Sequence, residues 1–115
     1  MSDKTNVSAS SHSSIYTAIP QLGRIRKEVL WGDVWKQPEM SKRDRSIVTC
    51  SILAALGKTE ELKYHMGLAI ENGVTADELR GLVVQVAFYA GWPCAVNAGK
   101  AGLSIFEADM PSEGS

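Results

Sequence analysis

A glutamate and a histidine in the middle of the chain have the side chains and the spacing for proton transfer. Glu61 and His65 are four residues apart, so on a helix their side chains lie on one face, one turn apart. A carboxylate beside an imidazole fixes the tautomer of the ring and raises its pKa, which makes the ring a proton donor near neutral pH. Such pairs also occur by chance on helix surfaces, so the spacing leaves a catalytic pair and a surface pair both open.

Two arginines earlier in the chain are suited to holding an anion. Arg43 and Arg45 fall in the first turn of a helix that is predicted to begin at Ser41. Anions bind at such helix starts because of the free backbone N–H groups and the positive end of the helix dipole. Screening of these cations by solvent and by Asp44 is the alternative. The sequence therefore leaves open a carboxylate site and a solvated helix end.

The cysteines and the second histidine give weaker indications. Cys94 falls in the first turn of a predicted helix, where a thiolate is favoured, and Cys50 lies in mid-helix. A packing role is the stronger interpretation for both, since the chain has no C-x-x-C pair. His12 lies in a polar arm, so the two histidines cannot build an ordinary zinc site, and we expect no metal.

Helices are predicted to position these residues, because apolar residues recur at helical spacing from Ile15 onward and no segment indicates a strand. One predicted helix begins near Pro20. Later helices are predicted to start at Ser41, Thr59, the capping box Thr75 to Glu78, and Pro93, with glycines at 32, 57, 73 and 91 between them. We therefore predict an all-α, single-domain bundle of five or six helices over residues 15–110, with a flexible arm at 1–14 and a polar tail at 111–115.

Composition limits the classes of partner. The 115 residues carry a net charge of −1 with interspersed acids and bases, so we expect no nucleic-acid binding. No apolar run approaches the roughly 20 residues of a membrane span, and the Ser-rich start lacks the apolar core of a signal peptide. These features, with only two cysteines, predict a cytoplasmic protein. A domain this small buries about two-thirds of its unfolded surface, so a sizeable pocket is expected to share a wall with a second copy.

Several blocks of the chain, in order, resemble the carboxymuconolactone decarboxylase family. They are S-K-R-D-R-S-I-V-T at 41–49, E-L-K-Y-H at 61–65, A-I-E-N-G-V-T-A-D-E-L at 69–79 and Q-V-A-F-Y-A-G-W-P at 85–93, preceded by W-G-D-V-W-K-Q-P at 31–38. The resemblance covers roughly residues 31–106. It implies an all-α fold related to alkylhydroperoxidase D, a homo-oligomer of three to six subunits, and pockets near subunit contacts.

The resemblance also implies one of two activities. The peroxidase branch uses a C-x-x-C-x-x-x-H motif, but counting back from His65 its cysteine positions hold Lys58 and Glu61, so a thiol-dependent peroxidase is disfavoured. The decarboxylase branch implies cofactor-free decarboxylation or proton transfer on a small carboxylated lactone or ring, as in aromatic catabolism. His65 is then the expected acid and Glu61 orients it. Arg45, with Arg43, is expected to bind a carboxylate, and Tyr89 to donate to the developing oxyanion.

Trp92 is the main departure from the family pattern. Decarboxylases of the protocatechuate pathway resemble Y-C-G-V-P-A-A-N, where this chain has Y-A-G-W-P-C-A-V-N at 89–97. An indole at an expected pocket wall predicts a reshaped pocket that favours a flat or aromatic ligand. Two alternatives stay open: a thiol-based peroxidase that uses Cys94, and a non-catalytic oligomeric binding protein.

Overall fold

The computed structural model describes residues 14–111, which form two compact units divided between Glu39 and Met40. The described residues are largely helical and include no strand, which confirms the predicted all-α class. Within this range, every helix is too short or too polar to cross a membrane. The predicted arm at 1–14, with His12, and the predicted tail at 111–115 lie almost wholly outside the described residues.

The first unit is a helical segment with an aromatic cluster. Residues 14–18 are helical, and α1 (Pro20–Ile25) continues into a π-helical turn (Arg26–Trp31), followed by a 3-10 turn (Val34–Lys36). Pro20 stands in the first turn of α1, as predicted. The Arg26 guanidinium lies 4.5 Å from the ring centre of Tyr16 and 5.7 Å from that of Trp31. Both distances suit the attraction of a cation to a ring face.

The second unit contains five α-helices within residues 40–111. They are α2 (Lys42–Ala55), α3 (Thr59–Glu71), α4 (Ala76–Tyr89), α5 (Trp92–Ala101) and α6 (Leu103–Asp109). Helix α2 packs against α3, α4 and α5, while α6 packs on α4 and α5. The shared core consists of Cys50, Ala54, Leu62, Met66, Ala69, Val74, Leu79, Leu82, Val86, Ala95, Ala98 and Ala101.

Local hydrogen bonds fix two of the helix starts that the sequence predicts. The Ser41 hydroxyl accepts from the Asp44 N–H at 3.0 Å and caps α2. Thr75 and Glu78 form a complete capping box at α4, with both reciprocal hydrogen bonds present. These contacts confirm that the sequence alone specifies where α2 and α4 begin.

Helix α3 begins at the predicted residue, Thr59, but the cap expected from the Thr59 hydroxyl is absent, whereas the predicted break after α4 is confirmed. Lys58 is the N-cap of α3 and makes no side-chain cap, and Thr59 is the first helical residue. Gly91 has a φ of 110°, a conformation that residues with a Cβ rarely adopt, and it turns the chain from α4 into α5. Pro93 then lies in the first turn of α5, as predicted.

An arginine fastens the last helix to α4. Arg80 Nη1 donates to Asp77 at 2.6 Å and to Asp109 at 2.7 Å, and Nη2 donates to the Phe106 carbonyl at 3.2 Å. The guanidinium also lies 5.4 Å from the centre of the Phe106 ring. Because these partners lie on α4 and α6, the contacts fix the position of α6.

Candidate active site

A cavity of about 400 Å³ lies between α2 and α4. This volume falls within the range of small-molecule pockets in proteins. Its lining consists of Ile47, Ser51 and Ala55 from α2, and of Glu78, Leu82, Gln85, Val86, Tyr89 and Ala90 from α4 and the residue after it. The residues from α2 recur every four positions, so a single stripe of that helix forms one side of the cavity.

The cavity is apolar along α2 and carries polar groups along α4. Glu78, Gln85 and Tyr89 share a stripe of α4, and each is open to solvent, with Tyr89 83% exposed. Ser51 contributes no free donor, since its hydroxyl donates to the Ile47 carbonyl at 2.8 Å. A ligand here would meet apolar side chains from both helices and, along α4, hydrogen-bonding groups as well.

An ion pair stands at one end of this cavity. Arg43 belongs to the same stripe of α2 as Ile47, and its Nη2 donates to Oε2 of Glu78, which lines the cavity. Nη1 of Arg43 donates to Asp44 at 3.2 Å. The guanidinium therefore lies at the edge of the cavity, in contact with two carboxylates.

Glu78 has separate partners for its two oxygens. Oε1 accepts the Thr75 N–H at 2.9 Å, and Oε2 accepts from Arg43. The hydrogen bond from the Thr75 backbone and the one from Arg43 lower the pKa of Glu78. The side chain is therefore a carboxylate at neutral pH, and one of its oxygens serves the helix cap while the other serves the arginine.

His65 lies on α3 and does not line this cavity. The residue is half-buried, its Nδ1 atom is shielded from solvent, and its ring meets the ring of Tyr64 edge-on at 5.2 Å between centres. Glu61 is exposed, and neither a hydrogen bond nor an ion pair joins it to His65 in the described part of the chain. The catalytic pairing of Glu61 with His65 stays a prediction.

One buried polar contact between α3 and α2 was not predicted. Asn72 Nδ2 donates to the hydroxyl of Ser46 at 2.9 Å, and Ser46 is wholly buried. Helical spacing places Asn72 on the stripe of α3 that holds Glu61 and His65, but it does not identify Ser46 as the partner. The Asn72 end of that stripe faces α2.

The remaining predicted site residues lie outside the cavity lining. Arg45 is half-buried, and its Nε donates to the Met40 carbonyl at 3.2 Å. Trp92 begins α5 and is 66% exposed. Cys94 lies in the first turn of α5, where its thiol contacts the Ala55 carbonyl at 3.7 Å. Tyr89 is thus the one predicted site residue in the lining, and Arg43 reaches its edge.

The cysteines are separate thiols with different surroundings. Cys50 and Cys94 are both free, Cys50 in the core and Cys94 half-buried. Burial raises the pKa of the Cys50 thiol from 9.0 to about 11. A thiol with so high a pKa holds almost no thiolate at neutral pH, so Cys50 is a packing residue in this environment.

Comparison with known proteins places the chain, with residues from both units, in a class of decarboxylase-related proteins. A sequence model of the carboxymuconolactone decarboxylase family matches residues 20–102, and the chain belongs to that family. It is 39% identical over 77 residues to a 4-carboxymuconolactone decarboxylase of Acinetobacter baylyi, covering 67% of this chain and 58% of that protein. It is 37% identical over 71 residues to a nitrosuccinic acid decarboxylase of Metarhizium robertsii, covering 62% of this chain and 50% of that protein. The chain thus matches about half the length of these relatives.

Proposed function

We propose that this protein is a cofactor-independent decarboxylase of a small carboxylated lactone or ring. The observation that carries the proposal is the family membership together with two relatives that are both decarboxylases by name. The substrates in those names differ, yet both are carboxylic acids with an electron-accepting group, a lactone in one and a nitro group in the other. Either group can take up the electron pair that remains when CO2 departs.

The reaction needs three functions from the protein. The bond between carbon and the carboxylate breaks, CO2 leaves, and the electron pair moves onto the oxygen of the accepting group. A hydrogen-bond donor stabilises that oxyanion, and we assign this role to Tyr89, whose side chain lines the cavity. An acid then returns a proton to carbon and is reprotonated from water. We assign this role to His65, with Glu61 as its orienting partner, on the family resemblance alone, since His65 lies outside the cavity lining of a single chain.

The cavity between α2 and α4 supports this proposal as the place for the substrate ring. Its volume of about 400 Å³ suits a single ring with short substituents. Its apolar side chains, Leu82 and Val86 among them, offer a ring a surface to pack against. The candidate carboxylate-binding cations are Arg43 at the edge of the cavity and Arg45, which lies in the same turn of α2 on a different face.

We also propose that the protein is a homo-oligomer of three to six subunits. Large apolar side chains lie exposed on α4 and on the start of α5, with Phe88 77% and Trp92 66% exposed. Large apolar side chains with this degree of exposure are typical of subunit contacts. The cytoplasmic location stays a prediction from composition.

The thiol-dependent alternative has no support among the described residues. The Cys50 thiol is buried and its pKa is raised, while the Cys94 thiol contacts a backbone carbonyl. A peroxidase of this type needs a thiolate within reach of a second thiol. Decarboxylation is therefore the activity that we carry forward.

The test is CO2 release, with ultraviolet absorbance recorded in parallel, from a panel of carboxylated lactones and nitro acids. We expect turnover of at least one compound by the purified protein without added cofactor. His65→Ala should abolish turnover with little change in melting temperature. The matched surface change Lys63→Ala should leave turnover intact. No CO2 from any compound would contradict the proposed activity. Full activity in His65→Ala with loss in Tyr89→Phe would move the proton donor to Tyr89.

A further inference from the structure

We propose that the Arg43–Glu78 ion pair opens when a ring with a carboxylate binds in the cavity between α2 and α4, and we call this ion pair the gate. The carboxylate of the ligand then replaces Glu78 as the partner of Arg43. This inference rests on the proposed function for the class of ligand. It assigns a binding site and a competitor for that site, and it is tested by equilibrium binding without turnover.

The position of Arg43 supports the exchange. Arg43 lies one turn before Ile47 on the same stripe of α2, and Glu78 lies one turn before Leu82 on the same stripe of α4. The ion pair therefore lies at the end of the cavity where both helices begin. A ring seated against Ile47 and Leu82 would place a substituent at that end. The positive ends of both helix dipoles also favour an anion there.

The ion pair is weak enough to exchange. The side chains of Arg43 and Glu78 are 39% and 41% exposed, and ion pairs in contact with solvent contribute little to stability. A carboxylate on a ring can offer Arg43 two oxygens, whereas Glu78 offers one because its other oxygen is held by Thr75. A bidentate contact also displaces the hydrogen bond of 3.2 Å from Nη1 of Arg43 to Asp44. The ligand thus competes with a carboxylate that has only one oxygen available for Arg43.

Release of Glu78 leaves the helix cap in place. Its Oε1 still accepts the Thr75 N–H at 2.9 Å after Oε2 loses the arginine, and the Thr75 hydroxyl still accepts from the Glu78 N–H at 3.0 Å. The freed oxygen is exposed to water. Exchange therefore requires no movement of α4.

The test uses benzoate as the charged probe and benzamide as its uncharged analogue, with binding followed by NMR titration of the full chain. Glu78→Gln retains an oxygen for the Thr75 N–H but removes the ion pair. We expect it to bind benzoate more tightly than the unmodified protein, by up to about fivefold, the factor that corresponds to about 1 kcal/mol. Benzamide binding should not change, because an amide does not compete for the guanidinium as an anion.

Two further variants separate the gate from the cavity. Arg43→Gln should weaken benzoate and leave benzamide unchanged, while Ser51→Phe, which fills the cavity, should weaken both probes. The matched control is Asp77→Asn, which removes a neighbouring carboxylate that pairs with Arg80 instead of Arg43. It should leave benzoate binding within the error of the titration.

Three results would overturn the proposal. One is benzoate binding in Glu78→Gln that is no tighter than in the unmodified protein. Another is a gain in benzoate affinity in Asp77→Asn as large as that in Glu78→Gln, which would indicate only the loss of a nearby negative charge. The third is a set of chemical-shift changes that bypasses Ile47, Leu82 and Val86. A protein that binds benzoate as described but releases no CO2 from any compound would refute the proposed function and leave the gate standing.

Discussion

At the scale of single residues, the buried thiol of Cys50 makes stability depend on pH. Its pKa is raised from 9.0 to about 11 in the folded protein, because burial disfavours the thiolate. Below pH 9.0 the thiol is neutral in both states and has no effect. Between 9.0 and about 11 the unfolded chain loses the proton while the folded chain keeps it, so the free energy of unfolding falls.

We therefore expect Cys50→Ala to flatten the loss of stability at high pH. The part that the thiol contributes is at most about 3 kcal/mol, at about 1.4 kcal/mol for each unit of pKa. Urea unfolding at a series of pH values measures the slope, and Cys94→Ala is the control because Cys94 is only half-buried whereas Cys50 lies wholly in the core. Equal slopes in the two variants would show that Cys50 ionises as easily in the folded state as in the unfolded one.

Single residues also show what sequence can predict about the site. Tyr89 lies in the cavity because its stripe on α4 follows from helical spacing, which is local information. The partner of Arg43 does not follow from spacing, since Glu78 is 35 residues away and meets it only after α2 and α4 have packed. The spacing of Glu61 and His65 on α3 predicts a proton donor, but it does not predict which helix lies opposite. In one chain the His65 ring lies outside the cavity lining.

At the scale of helices, Gly102 permits the close approach of the last two helices to α3. A Cβ on Gly102 would lie 2.8 Å from Met66 Sδ and 2.9 Å from Phe106 Cε2, closer than side chains tolerate. We expect Gly102→Ala to destabilise the protein by about 1–3 kcal/mol, the usual cost of overpacking a core.

Gly81→Ala is the matched control, because Gly81 lies within α4 with open space around its Cβ position. Alanine there should stabilise the protein by about 0.5–1 kcal/mol through its higher helix propensity. Thermal and urea unfolding of both variants give the two changes. If Gly102→Ala also raised the free energy of unfolding, Met66 and Phe106 would have to move aside, and the close approach would not depend on glycine.

Helix ends were predictable where a side chain caps them and unpredictable where none does. Ser41 and the Thr75–Glu78 box form the predicted hydrogen bonds, because each involves groups only three residues apart. At α3 the helix begins from Lys58 without a side-chain cap, so the hydroxyl of Thr59 was a misleading signal. The π-helical turn Arg26–Trp31 likewise lacks a side-chain cap.

At the scale of the whole molecule, the exposed apolar residues of α4 bear on assembly. Val84 and Phe88 are four residues apart on the face of α4 that points away from the core residues Leu79 and Val86. A small domain gains stability by covering such a stripe with another copy, because it buries too little surface by itself. The proposed homo-oligomer therefore has a specific place where it can be tested.

Phe88→Glu should shift the protein towards smaller species. A charge in the middle of an apolar contact loses its hydration without gaining a partner, which weakens association by several kcal/mol. Sedimentation equilibrium over a range of concentrations measures the change in mass. The matched control is Met110→Glu, which places the same charge on another exposed apolar residue, just beyond the end of α6. If both variants keep the mass of the unmodified protein while circular dichroism shows intact helices, the stripe on α4 is not a subunit contact.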